Sequence, residues 1–224
     1  IELEKERNTI SELLRQKTEF INQLSHDIRT PLTPIITLVS VLKLKVKDKD
    51  LSDRIDIISR NASYLKSLVV NTLNLAKLDL GKIEFNFSKN NIHYMVEDLI
   101  KLNFVVFKQK KIKSKNKIAK STEIYCDSLR IKEVFENLIM NAIKFMNKGG
   151  TIEFGSVDKG SSVVFSVKDS GIGMEKDILN KIFTEFYKAD QSRHVHSSGL
   201  GLAIAKRIVE KHNGKIWAES KGTG

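Results

Sequence analysis

The sequence predicts two domains: an all-α helical hairpin that forms a dimeric four-helix bundle, then an α+β sandwich with a mixed sheet covered on one face by helices. Three observations point there. Two apolar helical stripes fill the first 80 residues, joined by the charged stretch Lys43 to Asp50. Composition changes after Gly81. Beyond it, the strand-like runs Thr151 to Val157 and Ser162 to Val167 stand among helical ones in mixed order.

Composition narrows the class. A chain of 224 residues, 41% hydrophobic and 29% charged, is ordinary for one large or two small soluble domains. The single cysteine, Cys126, excludes a disulfide framework and offers no metal cluster. No run reaches the roughly 18–20 apolar residues of a membrane span. The chain is charged from Glu2 onward, unlike a signal peptide, and starts inside a helical pattern, as expected of a piece of a longer protein. The net charge is +11, with lysines at 108, 110, 111, 113, 115, 117 and 120. No aromatic lies among them to stack a base, so this run reads as a solvated loop and nucleic acid is not an expected partner.

Taken in order, residues 1–30 read as one long helix. Leu3, Ile10, Lys17 and Leu24 repeat every seven residues, with Arg7, Leu14, Ile21 and Ile28 as the second line of a coiled-coil seam. Pro31 removes a backbone donor and disfavours helix at Thr30. The apolar pattern nevertheless continues through Ile35, Ile36, Leu38, Val39, Val41 and Leu42, which predicts a kink and not a stop. Lys43 to Asp50 is a charged connection. A second helix is expected from Ser52 to Leu80, with the stripe Ile55, Ile58, Ala62, Leu65, Val69, Thr72 and Leu75 or Ala76, closed by Gly81. Two such helices cannot bury both stripes alone, so a homodimer is expected.

Ile83 to Phe87 alternates like a strand, and Ile92 to Phe107 reads as one helix started near Asn90 or Asn91. Asp127 is a good N-cap for a helix running to about Asn147. Asp158-Lys159-Gly160-Ser161 signals a hairpin between the two strand-like runs. Leu200 to Lys211 is a helix closed by Asn213-Gly214, and Lys215 to Glu219 a last strand.

Five stretches carry chemistry. Asn137, Asn141 and Lys144 share one face of the Asp127 helix, beside the stripe Ile131, Phe135, Leu138, Ala142 and Phe145. An amide oxygen suits Mg²⁺ and an ammonium suits phosphate. Asp169-Ser170-Gly171-Ile172-Gly173 follows a strand, where an acid can bind a base and bare backbone lets a ligand approach. Phe183 and Phe186, with the polar stretch beyond them, fit either core packing or a lid. Ser198-Gly199-Leu200-Gly201-Leu202 opens a helix whose free N–H groups suit an anion. A Rossmann fingerprint is excluded, because the third glycine is absent. Upstream, His26 stands beside Asp27 with Thr30 one helical turn on. A neutral imidazole is a good nucleophile, and an adjacent carboxylate can fix its tautomer and accept its proton.

In this order and spacing, the stretches resemble the sensor histidine kinases of two-component systems. Ser25-His26-Asp27-Ile28-Arg29-Thr30-Pro31-Leu32 is similar to their H box. Glu136 to Phe145, Asp169 to Gly173, Phe183 to Tyr187 and Gly199 to Leu202 are similar to the N, G1, F and G2 boxes of the gyrase/Hsp90/MutL-type ATP-binding domain. The resemblance implies ATP and Mg²⁺ as cofactors, with Asn141 on the metal and Asn137 and Lys144 at the phosphates. Asp169 would accept from the adenine amino group, with Gly171 and Gly173 shaping that wall. Gly199, Leu200 and Gly201 would wrap the phosphates beside Phe186 and Lys188. His26 would be the phosphoacceptor, Asp27 its general base, and Thr30 the residue that orients a water for dephosphorylation. It also implies the division 1–18 (signalling helix), 19–82 (dimerisation and phosphoacceptor domain) and 83–224 (ATP-binding domain).

Some positions depart from that pattern. Ser197 replaces a usual glycine. Lys188 replaces a usual arginine, a role Arg193 is placed to fill. The chain ends at Gly222-Thr223-Gly224, before the last strand usual in the family. The expected function is ATP-dependent autophosphorylation of His26 and transfer to an aspartate of a response regulator receiver domain. The rival readings are a nucleotide-binding dimeric scaffold without transfer and a net phosphatase. The chain would be the cytoplasmic portion of a parent in the plasma membrane or free of it.

Overall fold

In a computed structural model the described residues are 2–81, 83–146, 149–188 and 198–222. They fall into two compact units. The first holds everything up to Glu84 together with residues 198–200; the second begins at Phe85 and resumes at Gly201.

The first unit is a helical hairpin. Helix α1 runs Glu2–Lys45, unbroken by Pro31 and Pro34. Each proline withholds an N–H from the carbonyl four residues back, here Asp27 and Thr30. Hydroxyls crowd the same stretch. Thr30, Thr33, Thr37 and Ser40 donate to the carbonyls of His26, Arg29, Thr33 and Ile36 at 2.8 to 3.0 Å. None of these is a carbonyl that a proline leaves free, and back-bonding of this kind favours bending of a helix. Helix α2 is Lys49–Asp79. It starts three residues before the expected Ser52, because Asp48 caps it by accepting from the Leu51 N–H at 2.8 Å. Gly81, at φ +64°, closes it.

Ile21, Leu32 and Val39 of α1 and Ile55, Ala62, Leu75 and Leu78 of α2 are buried. Of the expected stripe, Ile58 and Leu65 stay about half exposed, as do Ile35, Leu38, Val41 and Leu42. The hairpin alone does not cover them.

The second unit is built on two sheets. Strand β1 (Phe87–Asn91) pairs antiparallel with β3 (Glu123–Asp127). Strand β2 (Ile112–Asn116) pairs parallel with β4 (Gly150–Asp158), which pairs antiparallel with β5 (Val163–Asp169). The larger sheet is therefore mixed, in the order β2-β4-β5. Helix α3 (Ile92–Leu102) and α5 (Ser128–Phe145) cover it. Ile92, Val96 and Leu99 of α3, Ile139 of α5, and Ile152 and Phe154 of β4 are fully buried in one cluster. Each fully buried side chain of this size stabilises by roughly 1.5–3 kcal/mol. Helices α6 (Lys176–Leu179) and α7 (Gly201–Lys211) complete the unit.

Several expectations are corrected. The helix expected over Ile92 to Phe107 breaks at Asn103, whose backbone leaves the helical region and whose amide donates to the Leu99 carbonyl at 2.9 Å. A second helix, α4, then runs Phe104–Lys110. The lysine run is not all loop: Ile112, buried, anchors β2, while Lys113 and Lys115 alternate outward. Of Ile83 to Phe87, only Phe87 enters a strand. Residues 215–219 alternate between half-buried and exposed like a strand but join no ladder among the described residues. The stripe of α5 lies one position round from that expected: Val134, Phe135, Ile139, Ala142 and Ile143 are buried, with Ile131, Leu138 and Phe145 at its margin.

Other elements fall as read. Asp127 caps α5 by accepting from the Arg130 N–H at 3.0 Å. Asp158 and Gly160, at φ +81°, turn the β4–β5 hairpin. Asn213, at φ +57°, ends α7.

Candidate functional site

Helix α5 presents its half-buried polar line, Asn137, Asn141 and Lys144, beside its packing face. From Asn137 to Phe145 that line spans about 12 Å at 1.5 Å per residue, and glycines meet it at both ends. At the first end Gly201 opens α7. A Cβ added there would lie 2.8 Å from Asn137 Oδ1, so glycine leaves the Asn137 amide in its place against α7. At the other end the loop after β5 is stitched to the end of α5. The Ile172 N–H donates to the Phe145 carbonyl at 3.2 Å. The Asp169 carboxylate accepts from the Gly171 N–H at 2.7 Å, and a Cβ on Gly171 would meet both that carboxylate and the Phe145 carbonyl. Ser170 fastens the loop to β4, accepting from the Thr151 N–H at 2.9 Å while its own N–H donates to the Thr151 carbonyl. Asp169 itself is exposed at the rim.

Lys144 lies between these ends, its ammonium 4.5 Å from the centroid of the Phe145 ring. Burial, and then repulsion from Lys188, hold it below the usual lysine range. Two cations in one neighbourhood favour a polyanion. Phe186 is exposed and sits at φ +59°. Behind it Glu185 pairs with Arg207 of α7 at 3.7 Å, tying this segment to the helix that Gly201 begins.

Not every expected residue joins the cluster. Gly173, at φ +68°, faces the chain near its end: a Cβ there would strike the Gly222 carbonyl, and the Met174 N–H donates to Ser220. Gly199 has φ +71°, and buried Leu200 donates its N–H to Ser198 Oγ. Arg193 and Ser197 lie outside the described residues. Sequence reasoning missed Ser170, the Phe145 carbonyl and the Glu185–Arg207 pair, since backbone acceptors and serines in loops carry no pattern of their own.

On α1, the His26 side chain is 78% exposed and its Nδ1 lies 3.2 Å from Asp27 Oδ1. Gln23 donates to the same carboxylate. The His26 contact and then Gln23 hold Asp27 below the usual carboxylate range. With Nδ1 facing a carboxylate, the ring carries its proton there and leaves the Nε2 lone pair toward solvent. Thr30 is used locally, its hydroxyl donating to the His26 carbonyl at 2.8 Å.

The described residues thus hold an exposed histidine on a helical hairpin and, in the second unit, a polar helix line between glycine loops. Residues 16–81 match the His Kinase A (phospho-acceptor) domain, and residues 126–224 the histidine kinase-, DNA gyrase B- and HSP90-like ATPase. The chain belongs to the sensor histidine kinases of two-component systems and carries their catalytic core domains. It is 33% identical to sensor histidine kinase WalK of Bacillus subtilis over 93% of its length and 36% of that protein. It is 32% identical to hybrid signal transduction histidine kinase C of Dictyostelium discoideum, over 96% of this chain and 18% of that one. The chain thus spans about a third or less of these relatives. Among solved structures, histidine kinase ThkA in complex with response regulator protein TrrA superposes with a TM-score of 0.65 at 27% identity, over all of this chain and 63% of that one. Among the described residues, no helix is long and apolar enough to cross a membrane.

Proposed function

We propose that this chain binds ATP with Mg²⁺, phosphorylates its own His26, and passes the phosphoryl group to an aspartate of a response regulator receiver domain. Asn137 and Gly201 would cradle the phosphates, Lys144 and Lys188 would offset their charge, and Asp169 would accept from the adenine amino group. The Asn141 amide oxygen is a hard donor of the kind Mg²⁺ takes, and the ion, when bound, neutralises charge on the phosphate oxygens.

His26 Nε2 attacks the γ-phosphorus as the bond to the β,γ-bridging oxygen breaks and ADP leaves. Asp27 takes the Nδ1 proton, so the product is a neutral-ring phosphohistidine. Its high transfer potential suits a relay. Thr30, its hydroxyl hydrogen engaged by the helix, would orient a water for dephosphorylation of the receiver domain only as an acceptor. The exposed residues Ile35, Leu38, Val41 and Leu42 of α1 and Ile58 and Leu65 of α2 are the surface on which a second copy completes a four-helix bundle. The core would act in the cytoplasm.

The observation that carries this reading is the His26–Asp27 contact, which fixes the tautomer a phosphoacceptor needs. Incubation with γ-labelled ATP tests it. An acid-labile, base-stable label is expected, absent from His26→Gln and chased by a receiver domain. Nucleotide binding without label would favour a scaffold, and label retained in His26→Gln would remove His26 from the role.

A further inference from the structure

The stretch that enters the second unit is held by a cluster with no part in binding nucleotide. Asp127, only 5% exposed, uses both carboxylate oxygens. One caps α5 at the Arg130 N–H; the other accepts from the Asn86 N–H at 2.8 Å. Its own N–H donates to His212 Nε2 at 3.1 Å. His212 follows α7 directly, and its Nδ1 lies 2.8 Å from the Ile208 carbonyl. A carbonyl can only accept, so Nδ1 carries the proton and Nε2 is the acceptor for Asp127. The His212 ring is flanked by Phe85 and Phe87, with centroids 5.3 and 4.9 Å away. Thus the residue that caps α5 holds Asn86, and the residue that follows α7 packs on Phe85 and Phe87. These are the helices that place Asn137, Asn141 and Lys144 and that start at Gly201.

We propose that Asp127 and His212 form a clamp that fixes Phe85–Phe87 to the two helices framing the nucleotide site, so that the motion bringing ATP to His26 pivots ahead of Phe85. Asp127 and His212 are positioning residues, and the inference rests on the kinase reading above. A connection free as far as Phe87 would let the unit reorient about its own entry strand. The clamp removes that freedom and makes the first three residues of the unit part of the rigid body that carries ATP.

The test uses the whole chain. Asp127→Asn keeps a competent helix cap but turns an amide donor toward the Asn86 N–H. His212→Phe keeps a ring against Phe85 and Phe87 and removes the acceptor. In both, exchange of the lost donor's amide, Asn86 or Asp127, should rise about tenfold or more, the scale of one hydrogen bond of this kind. His26 phosphorylation at saturating ATP should fall about fivefold or more, with affinity for a non-hydrolysable ATP analogue within twofold of the parent. Faster exchange with an unchanged phosphorylation rate would overturn the proposal. So would nucleotide affinity and rate falling by the same factor, the mark of a cap and nothing more. A parent chain that does not label His26 would sink the kinase reading instead; amide exchange would then still decide whether the clamp exists.

Discussion

Replacing Gly201 by alanine probes the site at its tightest point. The new Cβ would sit 2.8 Å from Asn137 Oδ1 and 3.5 Å from its Cγ. The first distance is too short for real atoms, and the atom met is the end of a flexible side chain, so the Asn137 amide turns aside while the backbone holds. Overpacking of this kind costs at most the lower end of about 1–3 kcal/mol in stability. The larger loss falls on binding. On the proposed reading, a displaced Asn137 would give up a hydrogen bond to a phosphate, worth about 1.5–3 kcal/mol, or roughly 10- to 100-fold in affinity. Titration calorimetry with a non-hydrolysable ATP analogue and Mg²⁺ reads this directly, beside a thermal melt. The decisive comparison is a double-mutant cycle. In an Asn137→Ala background there is no amide to displace, so Gly201→Ala should cost little more. A Gly201→Ala variant that binds within twofold of the parent, or the same loss in both backgrounds, would refute the steric reasoning.

Three further outcomes are expected. Burial, above all, pushes the Cys126 thiol up from 9.0 to about 11, so in the folded protein it should resist alkylation at pH 8 and react once unfolded. Because the folded thiol holds its proton longer than the unfolded one, its share of stability is intact below pH 9 and lost as pH rises toward 11, as denaturant melts across that range would show. Phe154→Ala, at a fully buried position of β4, should destabilise the second unit by about 3–5 kcal/mol in a denaturant titration. Leu65→Asp, on the uncovered face of α2, should convert the proposed dimer to monomer in sedimentation; a parent chain already monomeric at micromolar concentration would remove the bundle.

Much of this was legible in the sequence for particular reasons. Asp127, Asn91, Gly81 and Asn213 fell where a cap or a left-handed residue was read, because each acts within a few residues of itself. The hairpin around Gly160 was local in the same sense. Strand β2 escaped because its pairing with β4 is long-range, and only Ile112 marks its buried side among lysines. The break at Asn103 escaped because an asparagine inside an apolar helical run is usually tolerated, as Asn61 is inside α2. At the site, residue types and order pointed to α5 and the glycine loops. They could not show that Gly201 abuts Asn137, that Gly173 serves the contact with Gly222, or that Asp127 caps a helix with one oxygen and binds the entry strand with the other. Those facts depend on segments far apart in the chain.

The central claim is that Asp27 holds Nδ1 of His26 and leaves Nε2 to be phosphorylated. Phosphorus–nitrogen correlation by NMR on ¹⁵N-histidine-labelled protein, after incubation with ATP and Mg²⁺, tests it most directly. The account predicts one phosphoramidate, on Nε2 of His26. A phosphoryl group on Nδ1, or on another residue, would contradict it.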